Sequence, residues 1–268
     1  MFKIKNLLSN DDISVVSQKG AMRVLQYERD LSVSPASAQT AYFSSKMNIH
    51  KRQIMCELGK NQASGIITQS GAMQWTVGNV QATTGIKGVG DFAKKLGRGM
   101  VTNESAIKPE YVGSGVLMLE PTYKHILLVD MNDWNGEIVL EDGMFVACEN
   151  TVKIKVTART NVSSALAGGE GLFNIFCTGS GIVALESECP EEELILIELE
   201  NDVLKIDGNY ALAWSKSLDF KVERSGKTLI GSAASGEGLV NTYKGTGKVL
   251  LQPIRGIPYN TMPTFNSK

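Results

Sequence analysis

An eight-residue segment occurs three times along the chain at a constant spacing. The copies are Gly113–Glu120, Gly179–Glu186 and Gly245–Gln252, and each begins with glycine, a hydroxyl residue and glycine, 66 residues after the one before. A period kept over two steps identifies duplicated structural units before any local propensity is considered. The chain is therefore expected to contain three related modules.

A second correspondence lies within each period. Ile138–Phe145 matches Val203–Tyr210, and Ile66–Met73 is a weaker first copy. Each places a glycine after an apolar or β-branched run, as in a tight turn between two strands where a positive φ is needed. The predicted organisation is an N-terminal extension with strands (1–37), one β domain of three modules (38–112, 113–178 and 179–253) and an extended C-terminal tail (254–268).

Local patterns favour strands over helices. Alternating or continuous apolar runs, typical of strands covered on one or both faces, predict the strands Ala21–Tyr27, Gln53–Leu58, Val116–Leu119, Ile126–Val129, Thr151–Val156 and Phe220–Glu223. The helix candidates are short, Asp91–Leu96 and Ser163–Leu166. The predicted fold class is all-β, a sandwich or β-helix-like barrel of repeated modules.

Composition excludes an intrinsically disordered chain and a small disulfide-stabilised protein. The 28 acidic residues nearly cancel the 27 basic ones, which disfavours nucleic acid as a partner, and 43% apolar residues are enough for a sizeable core. The four cysteines are far apart, without zinc or redox spacing. No secretory signal or membrane-spanning run is found, so the expected location is cytoplasmic, at most peripheral to a membrane.

Several motifs together resemble a known family. They are Gly71–Trp75, Gly169–Phe173, Asp207–Trp214 and Ser235–Val240. The chain resembles the altered inheritance of mitochondria family. The resemblance implies a fold similar to the double-stranded β-helix of the trp RNA-binding attenuation protein, with modules about a pseudo-threefold axis and assembly into trimers. It implies no catalytic residues, and for mitochondrial members it implies a role near the inner membrane.

A glycine-rich stretch, 85–99, provides the candidate site for an anion or a partner. Its basic residues are Lys87, Lys94, Lys95 and Arg98. Exposed backbone N–H groups and lysines suit anionic lipid or nucleic acid, although Asp91 stands where a phosphate-binding loop needs lysine. A plain connecting loop is the alternative interpretation.

Two glutamates recur at one place in the period. Glu170 and Glu237 each stand between two glycines. They are candidates for a repeated turn, where the carboxylate caps backbone N–H groups, or for an interface with a partner.

No residue pattern specifies catalysis, a cofactor or a metal. His50 and His125 stand alone, no Gly-x-Ser-x-Gly nucleophile motif occurs, and the acidic stretch 186–193 lacks calcium-loop spacing. Trp75 and Trp214 are expected to pack in the core or at an interface between subunits.

These observations give three hypotheses of function. The first is a non-enzymatic, self-assembling β module, a homo-oligomer with a trimer favoured, that acts as a scaffold or binding protein for a protein or a membrane. The second is a small-molecule-binding or enzymatic β barrel with its site between modules. The third is binding of anionic lipid or nucleic acid through the Gly/Lys loop.

Overall fold

The structure is a computed structural model that describes residues 2–59, 63–83, 108–158, 173–224 and 239–254. Most of these residues lie in strands, and one α-helix, α1 (Ala38–Lys46), occurs among them. The strands are, in chain order, β1 (Ile13–Lys19), β2 (Met22–Tyr27), β3 (Lys51–Leu58), β4 (Gly65–Thr68), β5 (Met73–Thr83), β6 (Glu110–Leu119), β7 (His125–Asp130), β8 (Glu137–Leu140), β9 (Phe145–Glu149), β10 (Val152–Ala158), β11 (Phe173–Gly179), β12 (Ile182–Ser187), β13 (Ile195–Asp207), β14 (Ala211–Ser215), β15 (Asp219–Arg224) and β16 (Leu239–Leu251).

The first sheet has nine antiparallel strands and is nearly closed. Its order is β1-β2-β3-β6-β4-β9-β12-β7, with β5 on the other side of β6. The end strands β1 and β7 lie beside each other, so the sheet curls into a barrel. Closure of this kind covers edges that an open sheet would expose.

The second sheet has seven strands in the order β10-β11-β8-β14-β16-β13, and β15 also pairs with β16. Five connections join it to the barrel: β7–β8, β8–β9, β9–β10, β11–β12 and β12–β13. The chain passes from β11 to β12 through Gly179–Gly181, and from β8 to β9 through Gly143. The predicted all-β class is confirmed at this level.

Each sheet has its own apolar core, and a third cluster joins them. The barrel buries Met22, Ile54 and Leu117 among others. The joining cluster includes Ile138, Phe145 and Leu185 from both sheets, and the far side of the second sheet buries Trp214, Tyr243 and Val249. Burial of this much branched apolar surface is the main stabilising term of the fold.

The repeated glycine pairs occur where a strand changes its neighbour. In β6, Val112 pairs with β4 and Gly115 with β3, and Gly113 between them has a φ of 121°. In β16, Lys244 pairs with β15 and Val249 with β14, and Gly245 again has a positive φ. A positive φ lets the strand bend from one neighbour to the next, and glycine adopts it without steric cost.

One carboxylate holds two distant turns together. The Glu149 side chain at the end of β9 accepts the backbone N–H of Ala21 at 2.9 Å and that of Ile182 at 3.0 Å. The first donor follows β1 and the second begins β12. Glu149 therefore fastens the N-terminal hairpin to the middle of the chain across the barrel.

The local predictions compare closely with the structure where it is described. The predicted strands agree with the structure within two residues at each end, except that Val116–Leu119 is only the last part of the longer β6. The turn glycines Gly71, Gly143 and Gly208 all have positive φ. The predicted helices Asp91–Leu96 and Ser163–Leu166 lie outside the described residues. The helix α1 was not predicted, because it buries no side chain and so lacks the apolar stripe by which a helix is recognised. The module boundaries stay a prediction.

Candidate functional site

The site residues predicted from the sequence are not placed by the structure. Lys87, Lys94, Lys95 and Arg98 of the Gly/Lys loop lie outside the described residues, and so do Glu170 and Glu237. Both predictions therefore stay predictions.

The two histidines lie on the barrel side of the molecule. His125 begins β7, and partial burial together with the nearby Arg52 charge lowers its pKa to about 4. His50 precedes β3, with its Nδ1 atom 3.1 Å from the Tyr27 carbonyl oxygen. Across the described ranges, no three His, Cys, Asp or Glu side chains gather as a metal site would require.

All four cysteines are buried and unbridged, as expected for inert thiols. Burial raises the pKa of the Cys56 thiol and that of Cys148, so neither is a reactive thiolate at neutral pH.

A groove of about 650 Å³ lies beside the third glycine pair. Its lining includes Trp134, Glu198, Thr246 and Lys248. Several of its polar groups already have partners: Lys248 Nζ lies 3.1 Å from Glu198 Oε1, and Thr246 Oγ1 accepts the backbone N–H of Asn201 at 2.9 Å. The volume is within the range of small-molecule sites.

A smaller cleft of about 260 Å³ lies between α1 and the strands β2 and β3. The helix turns small residues such as Ala41 and Ser44 toward the cleft, whereas Phe43 and Met47 remain more than half exposed to solvent. At the cleft wall Asp30 accepts hydrogen bonds from Lys51 and Tyr123, and the bond from Lys51 lowers the pKa of its carboxyl. The polar groups at this wall are fixed by one another.

The outer side of β5 is an unpaired and uncharged strand edge in the described chain. All of β5 except a bulge near Gln74 pairs with β6, and no other strand of the described chain lies on its opposite side. We call this side the β5 edge. Its eleven residues, MQWTVGNVQAT, contain no charged side chain and no proline, and most are exposed.

The open edges of the second sheet, unlike the β5 edge, carry charges. The charged residues on these strands are Lys153 and Lys155 on β10, Glu198, Glu200, Asp202, Lys205 and Asp207 on β13, and Asp219, Lys221 and Glu223 on β15. Charges on an edge strand, lysine above all, prevent pairing with another chain. The β5 edge lacks this protection.

The β5 strand is held firmly although its edge is open. Trp75 and Val77 pack against the buried cluster that contains Leu25 and Met118. The Gln53 amide donates to Gln74 Oε1 at 2.8 Å. The strand is therefore an ordered element whose outer backbone groups are presented in a fixed arrangement.

Comparison with known proteins places the chain in a family. Residues 47–254 match the model of the family described as mitochondrial biogenesis AIM24. The chain belongs to the AIM24 family. The family suspected from the sequence motifs is therefore confirmed.

Two bacterial proteins are similar to this chain. An uncharacterised protein of Streptococcus pyogenes serotype M6 is 29% identical over 208 residues, which cover 75% of this chain and 81% of the relative. A crystal structure of another Streptococcus pyogenes protein superposes with a TM-score of 0.57 at 24% identity, covering 87% of this chain and 94% of that one. At this identity the superposition shows the fold alone.

Sequence reasoning did not single out the β5 edge. The absence of charge between Met73 and Thr83 is visible in the sequence. It gains meaning only when the strand is known to be an edge, and edges follow from long-range pairing. Within the described part of this AIM24 chain, no helix has the length and apolar character to cross a membrane.

Proposed function

We propose that this AIM24-family chain is a non-enzymatic β module that self-assembles and serves as a scaffold or binding protein. The observation that carries the proposal is the β5 edge, an ordered, exposed strand without charge. Such an edge promotes association unless it is covered, and a chain that leaves it uncharged is suited to cover it with another chain.

The proposed architecture is three related modules about a pseudo-threefold axis. It is supported by the pairing around each glycine pair. The first half of β6 pairs with β4 and its second half with β3. In the same way, β16 pairs first with β15 and then with β14. In the middle module two consecutive strands take this place, with β11 beside β10 and β12 beside β9. Such repetition makes symmetric assembly a natural extension of the fold, and the trimer implied by the family resemblance remains the favoured number.

Native mass spectrometry of the full chain tests the assembly. The expected spectrum shows an oligomer whose mass is a whole multiple of the 29.0 kDa chain. A monomer at all concentrations up to about 100 µM, well above the dissociation constants of stable assemblies, would reject the proposal.

The groove beside Gly245 and Gly247 favours a second candidate function, the binding of a small polar molecule. Its volume and mixed charges suit such a ligand. The same mass spectrum would show the added mass. Ser217→Trp, which fills the groove, should remove that mass, whereas Ser9→Trp on the distant N-terminal segment should leave it unchanged.

A further inference from the structure

We propose that the β5 edge pairs antiparallel with the β5 edge of a second copy of this chain, about a two-fold axis perpendicular to the strands. The inference rests on the proposed self-assembly and names one surface of it. A two-fold contact joins copies in twos, so combined with the proposed trimer it links two trimers into a hexamer. Three observations about β5 carry it.

The first observation is the length of the open edge. From Met73 to Ala82, the backbone groups of β5 that face away from β6 pair with no other strand of the described chain. A second strand added there would gain a continuous ladder of backbone hydrogen bonds. Because β5 is anchored by Trp75 and Val77, little ordering entropy opposes the addition.

The second observation concerns the exposed side chains of the edge. Those with hydrogen-bonding groups are Gln74, Thr76, Asn79, Gln81 and Thr83, all amides or hydroxyls. Because successive residues of a strand alternate between its two faces, Asn79 and Gln81 share one face and Thr76 lies on the other. Amides and hydroxyls both donate and accept, so the row that contains Asn79 and Gln81 is complementary to an identical row. Self-complementarity is what a two-fold interface between identical subunits requires.

The third observation is the contrast with β13. If β13 paired with its own copy, its four acidic residues and single lysine would give a strand of net charge −3 facing another of net charge −3. Like charges across a strand pair are destabilising. Pairing between two copies of β5 is therefore more favourable than pairing between two copies of β13.

Charge insertion with a rescue test decides the proposal. One variant carries Asn79→Lys with Gln81→Lys, and the other carries Asn79→Glu with Gln81→Glu. Both positions are exposed on one face of β5, so folding should persist, and the melting temperature checks this. Each variant alone should weaken association at least tenfold, because like charges meet across the pair. Val203→Lys on the charged edge of β13 is the matched control and should associate as the wild type does.

The mixture of the two variants separates the outcomes. Recovery of oligomers on mixing the Lys and Glu proteins, measured by native mass spectrometry, would support β5 pairing with β5. Loss of association without recovery would overturn self-pairing, since β5 would then meet another surface of the neighbouring copy. Unchanged association of both variants would overturn the inference and leave self-assembly intact, whereas a monomeric wild type would remove both.

Discussion

The two long ribbons of the molecule, β5 with β6 and β13 with β16, share a geometry but differ in chemistry. In each, an outer strand of eleven or thirteen residues pairs along a central strand that bends at a repeated glycine pair. The outer strand is uncharged in one ribbon and carries five charged residues in the other. The side chains of a single outer strand therefore decide whether the same backbone arrangement permits or prevents pairing with another chain.

The ribbons also differ beneath their central strands. Under β16, Trp214 lies 5.2 Å from Phe220 and 5.3 Å from Tyr243 between ring centroids. Under β6, the cluster consists mainly of Leu25, Met55 and Met118. Stiff aromatic packing supports the charged ribbon, and more adaptable methionine packing supports the uncharged one.

The largest expected effect comes from comparing the tryptophans of the two ribbons. Trp214 is 2% exposed, so Trp214→Ala should lower the free energy of unfolding by about 4 kcal/mol through lost packing and a cavity. Trp75 is only partly buried, and Trp75→Ala should cost about 1–2 kcal/mol. Urea unfolding of both variants measures the difference, and equal losses would contradict the assigned roles.

The repeated glycines give the next largest effect. A Cβ atom at Gly113 would lie 2.1 Å from the Asn79 carbonyl oxygen, whereas at Gly245 its nearest neighbour would be the Ser217 carbonyl oxygen at 3.6 Å. Both residues have positive φ, so Gly245→Ala should cost about 1 kcal/mol from backbone strain alone and Gly113→Ala about 3 kcal/mol or more. Thermal unfolding measures both losses of stability, and a larger loss for Gly245→Ala than for Gly113→Ala would contradict the prediction.

Neutralising the charged edge should make β13 resemble β5. Glu198→Gln, Glu200→Gln and Asp202→Asn together remove three acidic charges from the strand. Association should strengthen about tenfold, because the like charges that prevent edge pairing are gone. The control changes Glu191, Glu192 and Glu193 to Gln, which alters the net charge equally on a neighbouring 3-10 turn. Sedimentation velocity measures both, and equal behaviour would show that net charge, not edge charge, governs association.

The smallest effect is the pH dependence that His125 adds to the stability of the barrel. The pKa of His125 falls to about 4 in the folded protein, below its ordinary value of 6.5. The unfolded chain therefore binds a proton more readily between these values, and stability falls as the pH is lowered from 6.5 to 4. His125→Gln should reduce this loss of stability between pH 6.5 and pH 4 by about 1 kcal/mol, a figure that allows for the partial exposure of the ring. Melting temperatures at pH 7 and pH 4.5 provide the measurement, and an unchanged slope would assign the dependence to other groups.

The strands and their turns could be predicted from the sequence because both leave short-range signals. Alternation identified Thr151–Val156, and the internal repeat located the glycines with positive φ. The helix α1 escaped prediction because Phe43 and Met47 face outward, so its pattern does not resemble a helix packed on a core. The β5 edge escaped because strand order depends on contacts between residues far apart in sequence, such as Ile66 with Glu149. An uncharged strand can be recognised as an unprotected edge only when the strand order is known.

The bridge made by Glu149 also constrains how the chain reaches its native state. The hairpin of β1 and β2 is completed early in synthesis, yet the carboxylate that fastens Ala21 appears 128 residues later. Contacts of such large sequence separation slow folding, because a long loop must close before they form. On the ribosome, the N-terminal hairpin must therefore wait with its outer strand β1 uncovered until β7 and β12 have emerged. Its exposed Val15 and Val16 make this waiting period the stage at which the nascent chain is most open to misassembly and to capture by chaperones.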